Sequence, residues 1–388
     1  MSFESLADLF DYNGDGYTDI LWRNTSTGEA LMWLMNGNAI IGQANFTLSL
    51  DWSIESVGDY NRDNKTDILW RNTATGENVA WLMDGVNIAG AVTLPSLSSA
   101  WTNLSINPSR PPTQFNVGTG EFNGDGQTDL LWRNTQTGEN VMWLMNAFNV
   151  PLVVPLPSVG LEWNPISFAN YDNNEQPEQQ TSGQTYEQTD ILWRNSETGE
   201  NAIWFMENGN IATISALPGV DINWDIPVDG DFNGDGINDI LWRNKVTGEN
   251  IIWLMNGANI IGAGSPGTID PIWSVTAVGD YNSDGKTDII WGNNQTGRDV
   301  VWGMNGVSIG GASDLPSVSI DWDFSSVTDF NNDEITDIGV RLDTTGRNVM
   351  WGVLGGDVAG AGNLPDLSLD WVAYLPYTDP NVLPDALA

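Results

Sequence analysis

A segment that begins at Asp11, DYNGDGYTDILWRNTSTGEALMWLMNG, returns along almost the whole chain. It recurs from Asp59 as DYNRDNKTDILWRNTATGENVAWLMDG, and again from Glu121, Asn170, Asp231, Asp280 and Asp329. Successive starts lie 48, 62, 49, 61, 49 and 49 residues apart. The period is therefore 48 or 49, lengthened twice. One insertion is the Pro-rich SINPSRPPTQFNV from Ser105, before the third acidic cluster; the other is the polar EQPEQQTSGQTYEQ from Glu175, inside the fourth. A unit of this size cannot bury its own apolar faces, so it must pack against copies of itself.

Each unit reads as four short strands. WSIESVGD alternates as a half-buried strand does, and the acidic loop follows it. Then come DILWRN, the polar turn NTATG, ENVAWLM, a Gly-Asn turn and NIAGAVTL. Turn residues between β-branched and aromatic runs give antiparallel hairpins. Four strands in roughly 40–50 residues make a propeller blade, whereas solenoid units hold one or two elements. The predicted fold is all-β: a seven-bladed β-propeller of four-stranded antiparallel blades, with a calcium loop between first and second strands. One propeller spans 1–388, with units starting near 3, 52, 101, 163, 224, 273 and 322.

Tryptophan confirms the register. Trp22, Trp70, Trp132, Trp193, Trp242 and Trp291 follow the acidic clusters, and Trp33, Trp81, Trp143, Trp204, Trp253, Trp302 and Trp351 sit in the next segment. Trp52, Trp101, Trp163, Trp224, Trp273, Trp322 and Trp371 close the units, which accounts for all 20. The seventh unit lacks the first type and carries Val340. The ends do not count evenly: residues 3–10 and 371–378 both look like a first strand, leaving an extra strand-like segment at 371–388. Either one displaces the other or packs outside the ring, or the spare strand pairs with a neighbouring molecule.

Composition closes much of the enzyme repertoire. The chain has no cysteine and no histidine, which removes disulfides, zinc-thiolate sites and histidine-based nucleophilic catalysis. A net charge of −38 repels nucleic acid and anionic membranes, and no apolar run is long enough to span a bilayer, so neither nucleic-acid binding nor membrane insertion is expected. The opening MSFESLADLF has neither the basic nor the apolar region of a secretory signal.

The acids cluster at fixed spacing, and that carries the chemistry. Five loops fit D/E-x-N-x-D-G-x-x-D closely or with one change: Asp11/Asn13/Asp15/Asp19, Asp59/Asn61/Asp63/Asp67, Glu121/Asn123/Asp125/Asp129, Asp231/Asn233/Asp235/Asp239 and Asp280/Asn282/Asp284/Asp288. Side chains at positions one, three, five and nine point to a common centre, where the carbonyls of position seven (Tyr17, Lys65, Gln127, Ile237 and Lys286) can join them. An all-oxygen, irregular cage suits Ca²⁺ better than Mg²⁺. A turn has no use for three mutually repelling carboxylates, so their repetition points to metal. Unit seven repeats the set as Asp329, Asn331, Asp333, Ile335 and Asp337, with Glu334 in the glycine place. Unit four offers only Asn170, Asp172, Asn174 and, beyond its insertion, Asp190; its cage is expected to be empty or rebuilt. The expected load is five to seven Ca²⁺, structural in role because protein side chains fill each cage.

The order VGDYNRDNKTDIL from Val57, repeated as VGDYNSDGKTDII from Val278, resembles the FG-GAP or VCBS repeat of integrin-α-like calcium-binding propellers. The LWRN and WLMNG segments resemble a bacterial and cyanobacterial subtype. The resemblance implies a propeller with Ca²⁺ in its first inter-strand loops, and roles in adhesion, ligand recognition or lectin activity at the cell surface or outside the cell. Arg23, Arg71, Arg133, Arg194 and Arg243 lie six residues before Glu29, Glu77, Glu139, Glu200 and Glu249, across a hairpin, and are expected to form cross-strand ion pairs. A non-enzymatic module binding a glycan or protein is the leading expectation. Self-association into a filament or sheath is the alternative, and a polysaccharide-active enzyme ranks third.

Overall fold

The computed structural model describes residues 10–103, 119–146, 149–172, 176–177, 185–186, 188–316, 318–333 and 335–374. They form seven antiparallel blade sheets and one small two-stranded ribbon, and so a seven-bladed β-propeller; each blade has four strands, in sequence order except in blade one, and the first strand of blade three is split in two. Blade two shows the pattern: Trp52–Gly58, Asp67–Asn72, Asn78–Asp84 and Asn87–Leu94. Its second strand, DILWRN, is buried along its whole length, which is why it reads as an unbroken apolar run rather than an alternation. Fourth strands are the outer edges; Ala39–Thr47 alternates between exposed and half-buried positions.

The uneven ends resolve in blade one. Trp371–Tyr374 pairs with Ile20–Asn24, Asn24 facing Trp371 and Leu21 facing Tyr374, and so supplies that blade's first strand. The C-terminal strand is therefore consumed within the ring. Residues 3–9, the competing segment, lie outside the described residues, as do 375–388. The insertion from Ser105 falls within a strand: Trp101–Asn103 and Thr119–Gly120 both pair with Asp129–Asn134, so it splits the first strand of blade three. The insertion from Glu175 includes a small ribbon of Gln176–Pro177 with Thr185–Tyr186.

Two tryptophans of one blade pack together, with ring centroids 4.7–5.2 Å apart in blades one to six. The repeated arginine then ties that blade to the next. Arg71 lies over the Trp132 ring, 5.0 Å from its centroid, and donates to Asn78 Oδ1 and to the carbonyls of Leu97, Ser98 and Trp101. The same stack joins Arg23 to Trp70, Arg133 to Trp193, Arg194 to Trp242, Arg243 to Trp291 and Arg341 to Trp22. This corrects the expected Arg–Glu pairs: the glutamates stay exposed and accept from a neighbouring threonine, as Glu77 does from Thr75. In blades two to five and seven the side-chain partner of the arginine is the asparagine one residue further on, which turns inward; Arg23 of blade one, with Ala30 at that place, donates among the described residues to backbone carbonyls alone.

The two roles separate experimentally. Arg71→Ala should cost about 3 kcal/mol, because it strands several buried acceptors, while Glu77→Ala should stay within about 0.5 kcal/mol. Urea denaturation of both variants checks this, and equal losses would restore the ion-pair reading. Gly76 is a further fixed point: its φ is +77° and an added Cβ would fall on the Leu97 carbonyl. Gly76→Ala should destabilise by at least about 2 kcal/mol on the same assay.

Candidate functional site

Six of the seven acidic loops join the first and second strands of their blades, as the repeat predicts; loop one leads into Ile20–Asn24, the second strand of blade one, whose first strand is Trp371–Tyr374. In loop one, Asp11 Oδ1 accepts the backbone N–H groups of Asn13, Gly14 and Asp15, and Oδ2 accepts that of Gly16 at 2.7 Å. Asn13 Oδ1 accepts from the Asp15 amide, and Asp15 Oδ1 from Tyr17. Asp19, fully buried, receives the Tyr12 amide on Oδ2 and the Met35 amide on Oδ1, both at 2.8 Å.

The pattern repeats with small changes. Asp59 receives Asn61, Asp63 and Asn64; Asp63 receives Lys65, whose ammonium reaches Asp84 at 2.6 Å. Glu121 gathers Asn123, Gly124 and Gly126, and Gln127 bonds Asp125. Asp231 gathers Asn233, Gly234, Asp235 and Gly236, while Asp235 receives Ile237. Asp280 receives Asn282, Asp284 and Gly285, and Lys286 pairs with Asp284 at 3.2 Å. Asp329 receives Asn331 and Asp333, and Asp333 receives Ile335. Glu334 and Asn174 lie outside the described residues. Asp190 is nevertheless held as every ninth-position aspartate is, by the amides of Tyr171 and Met206.

Sequence reasoning missed what the next residue does. The eighth-position amide of loops two to seven donates to the first-position carbonyl of the preceding loop: Thr66 to Asp11, Thr128 to Asp59, Thr189 to Glu121, Asn238 to Asn170, Thr287 to Asp231 and Thr336 to Asp280. The Thr18 hydroxyl closes the circle on the Asp329 carbonyl at 3.4 Å. The glycine before the loop makes room for this contact. A Cβ at Gly58 would sit 2.5 Å from the Thr128 methyl, and Gly120, Gly230 and Gly279 face Thr189, Thr287 and Thr336 in the same way. The loops are thus one continuous belt.

The electrostatics of the belt are strained. Burial, followed by repulsion from Asp11 and Asp15 after its two amide bonds, holds Asp19 at about 8. Burial takes Asp67 and Asp190 to about 8, and Asp239, Asp288 and Asp337 to about 7. Glu121 reaches about 7 through burial and then Asp125, and burial with Glu121 drives Asp129 well up. Among the described residues no group of three or more acidic side chains converges as a metal cage; the carboxylates are turned to backbone amides. The donor set still fits a hard cation. Every repeated side-chain ligand offers an oxygen, and Asn61 Oδ1 in loop two is buried without a hydrogen-bond partner.

Loops six and seven depart from the others. Gly303 stands where blades one to five have Leu34, Leu82, Leu144, Phe205 and Leu254. A Cβ there would approach Asn282 Nδ2 to 3.2 Å. Without it, the Asn282 amide turns inward and donates to Asp288 Oδ2 at 2.9 Å, whereas Asn13 donates to Asp15. Gly352 in blade seven coincides with the same swing, Asn331 to Asp337 at 3.0 Å. The space left beside loop six is a cavity of about 310 Å³, lined by Asn282, Asp284, Asp288 and glycines of blades six and seven.

An FG-GAP-like repeat profile matches residues 11–70 and 231–291, so the propeller contains FG-GAP-like repeats. No curated protein sequence matches the chain. Among solved structures it is similar to dihydro-heme d1 dehydrogenase NirN in complex with DHE, at TM-score 0.48 and 9% identity over 89% of this chain and 64% of that one. It is also similar to a post-proline cleaving enzyme from Rickettsia typhi, at 0.47 and 9% over 89% and 53%. A third likeness is to a nidogen/laminin complex, at 0.37 and 10% over 76% and 92%. The chain thus spans less than two thirds of the length of the first two.

Proposed function

We propose that this propeller of FG-GAP-like repeats is a non-enzymatic, calcium-stabilised recognition module, acting at the cell surface or outside the cell and taking a glycan at the cavity beside loop six. The repeat subtype we assign is the bacterial and cyanobacterial one with LWRN and WLMNG segments. The observation that carries the recognition site is the break in symmetry at Gly303. A ring of equivalent loops explains stability, but a binding site needs a place unlike the rest, and only blades six and seven carry glycine there. The cavity is small, at the lower end of the roughly 300–1,000 Å³ typical of ligand sites, and its lining sets the Asn282 amide, the Asp284 and Asp288 carboxylates, Lys286 and bare glycine backbone beside Val301, Met304 and Ala312. Such a lining suits a polyhydroxylated ligand.

Five to seven Ca²⁺ fit the loops, held by the oxygens of positions one, three, five and nine. When bound, the cation neutralises carboxylates that burial and mutual repulsion now disfavour; Asn61 Oδ1 would gain the partner it lacks. Assembly into a filament is less favoured, since Trp371–Tyr374 is already used inside the ring.

Glycan-array binding with the calcium-loaded protein tests the reading, compared with Gly303→Leu, which refills the cavity with the residue of other blades. Binding should be lost in Gly303→Leu while its melting temperature stays within a few degrees of the parent. Equal binding by both proteins would move the site elsewhere, and depolymerisation of any bound polysaccharide would make the chain an enzyme.

A further inference from the structure

Six of the seven seams between blades contain an arginine stacked on the next blade's tryptophan; the seam between blades six and seven contains neither. Gly292 takes the arginine's place and Val340 the tryptophan's. The groups that would have received that guanidinium remain. In blade five, Arg243 donates to the carbonyls of Gly248, Ile269, Asp270 and Trp273 and to Asn250 Oδ1. The matching groups in blade six are the carbonyls of Gly297, Val318, Ser319 and Trp322 and the side chain of Asp299.

Local geometry is retained around them. Gly297 keeps its left-handed φ of +67°, a Cβ there would meet the Val318 carbonyl at 2.6 Å, and the Trp322 amide still bonds the Ser319 carbonyl. Among the described residues no side chain donates to these carbonyls.

Asp299 is the second, independent observation. Blades two, three, four, five and seven place a neutral asparagine here (Asn78, Asn140, Asn201, Asn250 and Asn348) beneath the arginine. Blade six loses the cation and gains a carboxylate. Asp299 is only 8% exposed, and its carboxylate has no hydrogen bond or ion pair among the described residues. Its Oδ1 lies 3.0 Å from where a Gly292 Cβ would begin the missing side chain. Burial alone raises its pKa to about 7, as expected of an acid without its counter-charge. The adjacent Arg298 does not help; it points outward to Asp314 at 2.6 Å. Ser319, whose carbonyl is one of these acceptors, is an exposed residue, while Gly292 and Asp299 are buried.

We propose that the seam between blades six and seven binds a guanidinium group supplied from outside the blade, held by the Asp299 carboxylate and by the carbonyl oxygens that receive an arginine in the other seams. A planar fork of donors matches divergent carbonyls plus a carboxylate, where a compact ammonium or a bare alkali ion would reach only some of them. The group can come as a small free cation or as an arginine side chain of a peptide.

Calorimetric titration and melting temperature, both in saturating calcium, test this with methylguanidine, with acetyl-Gly-Arg-Gly-amide, and with methylamine and KCl as controls. Methylguanidine should bind saturably and raise the melting temperature, and Asp299→Asn should weaken it at least about tenfold. Asparagine is the residue of five other blades at this place, so the variant is expected to fold. Gly292→Arg with Thr276→Ala, the latter removing the hydroxyl that a Cβ would strike, should fill the site from within and abolish binding. Binding of the peptide with similar strength identifies an arginine side chain as the natural occupant; binding of methylguanidine alone identifies a free cation. No saturable binding, undiminished binding by Asp299→Asn, or an equal response to methylamine or potassium would overturn the proposal.

Discussion

Stripping calcium with EGTA is expected to lower the melting temperature of this protein by about 15 °C. An ion present at 100 times its dissociation constant stabilises the folded state by about 2.7 kcal/mol. Five such ions act on a chain of 388 residues whose unfolding entropy is about 2.1 cal/mol/K per residue, and their ratio gives the shift. The stripped protein should also acquire an inverted pH dependence. Asp19, Asp67 and Asp190 titrate at about 8 and Asp239, Asp288 and Asp337 at about 7 when folded, against 3.8 in the unfolded chain. Such groups hold protons more tightly in the folded state. Their contribution to stability is complete below the unfolded value and is lost as pH rises through 7 and 8. Without the ion, melting temperature should therefore rise as pH falls from about 8 to about 5; with it, the cation replaces the proton and the curve should be flat. A melting temperature indifferent to EGTA would remove calcium from the account.

Loss of the C-terminal strand should be nearly as damaging. Trp371–Tyr374 covers the edge of Ile20–Asn24, where Leu21 and Trp22 are 0% and 1% exposed. Truncation after Asp370 should open blade one and lower the melting temperature by about 10 °C or more. The milder Ala373→Pro, at a buried position opposite Trp22, should cost about 3 kcal/mol because proline cannot continue the pairing. Hydrogen exchange locates the effect: protection of the Ile20–Asn24 amides should fall in both variants, and that of blades three to five should persist. Full protection after truncation would mean that another segment can serve as the first strand of blade one.

Blade number, strand order and the position of the acidic loops were legible because period and tryptophan register are long-range signals that local context cannot blur. The loop residues were legible as a class for the same reason. What the arginines bind was not. Arg71–Glu77 and Arg71–Asn78 recur equally well along the chain, and opposite charge argued for the first. Strand alternation decides otherwise: Asn78 is fully buried and Glu77 is exposed. The Gly58–Thr128 contact was hidden too, since it joins different blades and its partners are separated by a whole unit. The position of the Ser105 insertion inside a strand could not be read either, because Thr119–Gly120 has no pattern of its own. In unit six Gly292 and Arg298 replace the arginine and the glutamate together, which fits an ion pair as well as it fits the asparagine partner and so conceals the change at Asp299.

The amide-to-carbonyl belt linking each loop to its predecessor has a consequence for how the molecule comes apart. In an open array of repeats the end units have a single neighbour, so unravelling begins there and moves inward. Here every loop has two neighbours, and the circle is completed by Thr18 and Asp329. Fraying then has one natural starting point, the short seam where the two ends of the chain share blade one. Elsewhere a loop can loosen only by pulling on both of those flanking it, which makes the remaining six blades resist as a group.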